Sequence, residues 1–188
     1  MKKVLITGGT GYIGGRLSNY LNSNGFEVII CTSKKLTHIP TQLSNYKLHY
    51  IDLAIKDSLL LACEGVDIII HLASLNAKES FECPKLAFEV NTLGTENLIN
   101  ASIEKKVKYF FYFSTAHVYR SPLTGFINEK SQVNPSHSYS ISKQIAENYV
   151  LAASDDENLN CIIFRLSNAV GSPLNKEANC WSLVTNNL

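Results

Sequence analysis

Lys3-Val4-Leu5-Ile6-Thr7-Gly8-Gly9-Thr10-Gly11-Tyr12-Ile13-Gly14 opens the chain and decides its fold. Lys3–Thr7 is a short apolar run of strand length, and residues 14–23 carry helical spacing that ends at Gly25. Between them Gly8, Gly11 and Gly14 stand three apart, giving G-x-x-G-x-x-G. Small residues there let the backbone come close to a pyrophosphate, and the helix start adds N–H groups and a partial positive charge. Glycines also serve ordinary turns; it is the strand-to-helix junction that points to a bound dinucleotide, NAD or NADP. No Gly-Lys-Ser/Thr follows, so the run is not a P-loop.

Beyond this junction, short β-branched runs alternate with helical stretches. Residues 27–31 read as a second strand, 47–51 as a third and 56–63 as a short helix. Residues 66–72 are strongly apolar, as a central parallel strand buried on both faces must be. Residues 86–105 have helical spacing, with Ala87, Val90, Leu93, Leu98 and Ala101 on the faces to be buried. A strand at 107–114, a helix at 138–153 and a strand at Asn160–Leu166 complete the series. The fold class is therefore α/β: a Rossmann-type doubly wound parallel sheet with helices on both faces. We expect one dinucleotide-binding domain over residues 1–170. Residues 171–188 hold Pro173, several asparagines and the only tryptophan, and lack a period. They read as the start of a C-terminal substrate-binding region that is cut short.

The 188 residues, 45% hydrophobic and 18% charged, suffice for one globular core. A net charge of +1 points away from nucleic acid and membrane surfaces. No apolar run approaches membrane-spanning length, and glycines interrupt the N-terminal one too early for a signal peptide. Cysteines stand at 31, 63, 83, 161 and 180, an odd number with no C-x-x-C pair. Cys31 and Cys161 lie in apolar runs as small hydrophobes. Disulfides and a zinc site are not expected, nor any other metal, and a reducing cytoplasm is the expected compartment.

Ligands of parallel α/β sheets bind beyond the carboxyl ends of the strands. An acidic residue after the second strand would hold the ribose of NAD, but here the chain reads Ile30-Cys31-Thr32-Ser33-Lys34-Lys35. Thr32 and Ser33 can donate hydrogen bonds, and Lys34 or Lys35 can neutralise a 2′-phosphate. That tilts the expectation toward NADP, unless both lysines are simply solvated. Asp52, after the third strand, reads either as a partner of the adenine amino group or as a turn aspartate.

Tyr139-Ser140-Ile141-Ser142-Lys143 puts a tyrosine and a lysine at i and i+4 on one helix face. A nearby ammonium favours phenolate, so the tyrosine pKa is expected to fall toward working pH. The lysine can also hold the nicotinamide ribose. Such a pair also arises by chance on helix surfaces. Ser114 and Thr115 end the strand before it, where a hydroxyl can meet a substrate oxygen or merely cap the strand.

With these pieces the chain resembles the extended short-chain dehydrogenases/reductases, specifically the NAD-dependent epimerase/dehydratase group. The resemblance covers residues 2–175. It rests on the glycine run, Ile51-Asp52-Leu53, Asp67-Ile68-Ile69-Ile70-His71-Leu72-Ala73-Ser74 and Asn91-Thr92-Leu93-Gly94-Thr95. It rests equally on Phe113-Ser114-Thr115-Ala116-His117-Val118-Tyr119, Tyr139 with Lys143, and Arg165-Leu166-Ser167-Asn168-Ala169-Val170-Gly171. The resemblance implies an acid/base Tyr139, its partner Lys143, and a Thr115 that polarises the reacting oxygen. It assigns Gly8, Gly11, Tyr12, Ile13 and Gly14 to the pyrophosphate, Asp52 and Leu53 to adenine, and Leu72, Ala73 and Ser74 to the phosphates and ribose. Leu166 falls near the nicotinamide and Asn168 at the substrate. Asn91 is either a cofactor neighbour or a buried structural amide. His71 reads as packing at a strand end.

Two departures shape the functional expectation. Sugar dehydratases of the group carry an Asp-Glu pair after the threonine, where this chain has Ala116 and His117, so dehydration is disfavoured. His117 reads as a substrate contact, a proton carrier or a polar lining residue. The second departure is the missing acidic residue after strand two. The resemblance implies an NADP- or NAD-dependent epimerase or reductase of a nucleotide-linked sugar. Hydride would pass between a sugar carbon and the nicotinamide. Rival readings are a redox-sensing binding module and a fragment without turnover. By analogy alone, a homodimer would form through the helices at 86–105 and 138–153.

Overall fold

The computed structural model describes residues 1–33, 39–119, 122–156, 159–174 and 178. Six strands form one sheet: β1 (Lys3–Thr7), β2 (Glu27–Thr32), β3 (Lys47–Tyr50), β4 (Ile68–His71), β5 (Tyr109–Thr115) and β6 (Asn160–Leu166). The helices are α1 (Tyr12–Ser23), α2 (Lys56–Ala62), α3 (Ala77–Glu82), α4 (Pro84–Ala87), α5 (Gly94–Glu104) and α6 (Ser138–Asp156). Every described pairing in the sheet is parallel, in the order β3-β2-β1-β4-β5-β6. The order reverses between β1 and β4, where Thr7 pairs with His71 at the carboxyl ends. A crevice must open there, because the two crossovers leave in opposite directions.

Alternate residues of the central strands feed two cores. Leu5, Ile29, Ile69 and Phe110 pack with residues of α2, α5 and α6. Val4, Ile6, Val28, Ile30 and Ile70 pack against Leu17 and Leu21 of α1. The strands at both ends of the chain have the bounds expected from sequence. Helix α1 starts two residues earlier than expected, at Tyr12.

The helix expected over residues 86–105 is broken by a π turn at Phe88–Leu93, between α4 and α5. The wider turn inserts a residue into the 3.6 period. As a result Ala87, Leu98 and Ala101 are buried as expected, while Leu93 is exposed, Val90 is only half-buried, and Asn91 and Thr92 turn inward. Helix α3 was not expected. A capping box starts it, with Asn76 accepting from the Glu79 N–H and Glu79 accepting from the Asn76 N–H.

Candidate functional site

The crevice at the sheet's reversal point is a cleft of about 630 Å³. Its floor is the loop from β1 to α1. Gly8 has φ +65, and a Cβ there would lie 2.9 Å from the Ala73 backbone nitrogen. A Cβ on Gly14 would lie 2.4 Å from the Gly8 carbonyl oxygen and 2.6 Å from Gly9 Cα. The bare Gly14 lets the loop press onto the helix, and the bare Gly8 lets the β4 loop come close to it. Gly11 precedes the helix in extended conformation, no side chain caps α1, and its first turn holds no acidic residue. The N-terminal N–H donors and the helix dipole therefore meet no carboxylate from the helix's own first turn.

The walls come from the other strand ends. Thr32 ends β2 and Ser33 follows it, Asp52 and Leu53 follow β3, and Leu72, Ala73 and Ser74 follow β4. Asp52 is a turn aspartate, its Oδ1 accepting from the Ala54 N–H at 2.9 Å, and it also lines the cleft. Tyr12 lines the cleft too, its hydroxyl donating to the Gly171 carbonyl at 2.6 Å. A dinucleotide fits this arrangement: the glycine loop leaves the space a Cβ would fill, and the volume lies in the range of small-molecule sites.

A second group of side chains gathers at the ends of β5 and β6. The Thr115 hydroxyl accepts from the His117 N–H at 3.2 Å, starting the turn Ala116–Val118. Thr115 pairs in register with Leu166. Helix α6 starts where His137 Nδ1 accepts from the Ser140 N–H, and this sets Tyr139 in its first turn. Lys143, one turn on, is fully buried, with Nζ 4.3 Å from the centroid of the Tyr112 ring.

The charges here are balanced by long-range partners. The Glu147 carboxylate, buried one turn beyond Lys143, accepts from Arg165 Nε at 3.0 Å and Nη2 at 2.7 Å. Arg165 Nη1 donates to the Tyr119 hydroxyl at 2.8 Å. Burial pulls Lys143 down to about 7, and the Glu147 carboxylate opposes that pull. Burial also pushes the Tyr139 phenol above its ordinary value, with the Thr115 hydroxyl acting the other way. The expected lowering of the Tyr139 pKa by Lys143 is thus overturned. The desolvation of the phenol dominates, and the ammonium lies against the Tyr112 ring.

Not all the expected site residues face the cleft. Gly14 is buried behind the loop, and Ile13 does not line the cleft. Asn91 spends its amide inside the protein, accepting from the Leu75 N–H at 2.7 Å and donating to Ser142 Oγ at 3.0 Å. It is a structural amide that holds the β4 loop. His117 and Asn168 are exposed, and Lys34 lies outside the described residues. Asn76, Glu79, Glu89 and Val90 line the cleft without having been expected. The Asn-x-x-Glu spacing at 76–79 was the readable signal for the first two.

Comparisons with known proteins agree with this architecture. Residues 4–187 match the model of the NAD dependent epimerase/dehydratase family. The chain is 32% identical over 187 residues to human dTDP-D-glucose 4,6-dehydratase, covering 90% of this chain and 52% of that protein. It is 29% identical over 177 residues to UDP-glucose 4-epimerase of Halalkalibacterium halodurans, covering 92% and 52%. The Thermus thermophilus UDP-glucose 4-epimerase complex with NAD superposes with a TM-score of 0.77 at 28% identity, covering 87% of this chain and 54% of that one. The Brucella ovis UDP-glucose 4-epimerase in complex with NAD shares the fold at a TM-score of 0.84 and 23% identity, covering 95% and 55%. The chain spans about half the length of these relatives. With its glycine cradle, its strand order and a family match over nearly its whole length, the chain belongs to the NAD dependent epimerase/dehydratase family.

Proposed function

We propose that the full-length protein is an NAD-dependent epimerase or reductase of a nucleotide-linked sugar. The observation that carries this reading is that the glycine cradle after β1 and the group of Thr115 at the end of β5 with Tyr139 and Lys143 in the first turns of α6 lie toward the same carboxyl side of one parallel sheet. When bound, the nicotinamide gives and takes hydride at a sugar carbon. Gly8, Gly11 and Tyr12 would hold the pyrophosphate, and Ser33 the adenosine ribose. Asp52 keeps lone pairs free for the adenine amino group beyond the one that Ala54 uses. Leu72, Ala73 and Ser74 would follow the phosphates and Leu166 the nicotinamide. NAD is the dinucleotide named with the similar structures. The lysines that pointed to a 2′-phosphate, Lys34 and Lys35, lie outside the described residues.

The chain's own chemistry is proton transfer. With its pKa raised by burial, the Tyr139 phenol keeps its proton at neutral pH. It is set to donate to a sugar oxygen as negative charge develops there, and to take the proton back in the reverse direction. Thr115 orients the same oxygen, while His117 and Asn168 contact the sugar nucleotide. Ala116 has no proton to give or take, which favours epimerisation or reduction over loss of water.

Incubating the full-length protein with NAD and a panel of nucleotide sugars tests this reading. The expected products are an epimer or a sugar changed by two hydrogens. Tyr139→Phe should lower turnover about 10²- to 10⁴-fold and leave NAD affinity intact. A product lighter by one water would replace the reading with elimination, and unchanged turnover in Tyr139→Phe would remove the tyrosine from it.

A further inference from the structure

We infer that His71 is a positioning residue that ties the pyrophosphate loop to the helix face carrying Tyr139 and Lys143. The inference rests on the dinucleotide reading of the cleft. His71 is fully buried at the end of β4 and does not line the cleft. Its Nε2 lies 3.0 Å from Thr95 Oγ1, and its Nδ1 lies 2.6 Å from Thr7 Oγ1.

Proton counting fixes the direction of these bonds. The Thr95 hydroxyl donates its one proton to the Asn91 carbonyl at 2.7 Å. It can therefore only accept from His71, which puts the imidazole proton on Nε2. A neutral ring then accepts at Nδ1, so the Thr7 hydroxyl donates to it. The Thr7 oxygen is left to accept the Leu72 and Ala73 N–H groups, each at 3.2 Å. One uninterrupted chain thus runs from the cleft-lining β4 loop through Thr7 and His71 to Thr95 on α5. Thr7 precedes Gly8, whose missing Cβ makes room for the Ala73 backbone.

The face of the imidazole makes the second link. Tyr112 stacks on it at 5.8 Å and 29°, and the Lys143 ammonium lies over that same tyrosine ring. A protonated His71 would break the Thr7 bond and place a second cation beside Lys143. Burial and the Lys143 charge hold the imidazole neutral, with its pKa pulled to about 3.

Thr95 does not itself line the cleft and its hydroxyl takes the His71 Nε2 proton, so Thr95→Val is the informative variant. Calorimetric NAD titrations and thermal melts should compare it with wild type, Thr95→Ser and Ser102→Ala. Ser102 is a control on the same helix, its buried hydroxyl bonded to the Leu98 carbonyl. Thr95→Val is expected to weaken NAD binding about fivefold, with Thr95→Ser and Ser102→Ala binding as wild type. Equal melting losses in Thr95→Val and Ser102→Ala with unchanged NAD affinity would overturn the inference. Nitrogen-15 NMR of the free protein supplies a readout that needs no ligand. The Nε2–H tautomer of His71 is expected, and the Nδ1–H tautomer would overturn the chain of bonds. A wild type that takes no NAD would defeat the dinucleotide reading instead, and the tautomer would still decide the hydrogen-bond chain.

Discussion

At the β1–α1 junction the site is made by leaving side chains out; at the β5–β6 end it is made by burying charged ones. Gly8 and Gly14 stand where any Cβ would strike backbone, and the polarity offered to a ligand is that of the helix start. Lys143 and Glu147 are both withdrawn from solvent, and Arg165 clamps the carboxylate from β6. The difference follows from the work proposed for each region. A permanently charged pyrophosphate can be met by fixed backbone dipoles, with no charged side chain of the protein buried. Proton transfer needs titratable groups, and burying these requires compensating charges from elsewhere in the chain.

The contrast can be broken at the charged end first. Glu147→Ala leaves Arg165 facing a buried gap and should cost about 3 kcal/mol, the low end for a broken buried pair. The low end applies because the arginine is 21% exposed. Chemical denaturation measures this, and a loss too small to resolve would mean that water replaces the carboxylate. At the glycine end, Gly14→Ala should cost about 2 kcal/mol by overpacking and abolish NAD binding, because the loop must leave the helix. Retained binding with an unchanged melt would show that the cradle tolerates a Cβ.

The two regions also differ in their response to pH. His71 takes up a proton near 6.5 when unfolded but only near 3 in the fold. Between these values the unfolded state binds more protons, so stability should fall as pH drops through this window. Lys143 titrates near 7 in the fold and near 10.5 when unfolded, so by the same linkage stability should rise with pH from 7 to about 9, above which the buried thiols of Cys31, Cys63 and Cys161, pushed up by burial, oppose it. Denaturation curves across pH should show both slopes, with Lys143→Met removing the upper one. The smallest effect is expected at the exposed pair Lys56–Glu104, where Lys56→Ala should leave the melting temperature unchanged.

The glycine end was far more legible in the sequence than the charged end. A strand, a glycine run and a helix are contiguous, so the cradle could be read from twelve residues. Tyr139 and Lys143 were readable as well, because helical spacing alone places them on one face. Their environment was not: Tyr112, Glu147 and Arg165 come from three separate elements, and the burial that sets the Tyr139 pKa exists only after packing. The π turn is hidden because hydrophobic spacing assumes a 3.6 period, which puts Leu93 inside and does not decide between the two roles of Asn91. His71 looked like an ordinary strand-end residue because Thr7 and Thr95 lie 64 and 24 residues away.

If the cradle binds the dinucleotide through its bare backbone, Gly11→Asp must block binding while sparing the fold. Gly11 is the residue before α1, in an extended conformation that aspartate adopts readily. Aspartate is a favoured residue at that place, and its Cβ, 3.1 Å from the Gly8 carbonyl oxygen, asks the loop to give only slightly, so the fold should be kept. Its carboxylate would occupy the position proposed for the pyrophosphate. Calorimetry should show saturable, one-site NAD binding to the wild type and binding about a hundredfold weaker to a folded Gly11→Asp protein. Equal NAD affinity in the two proteins would contradict the account.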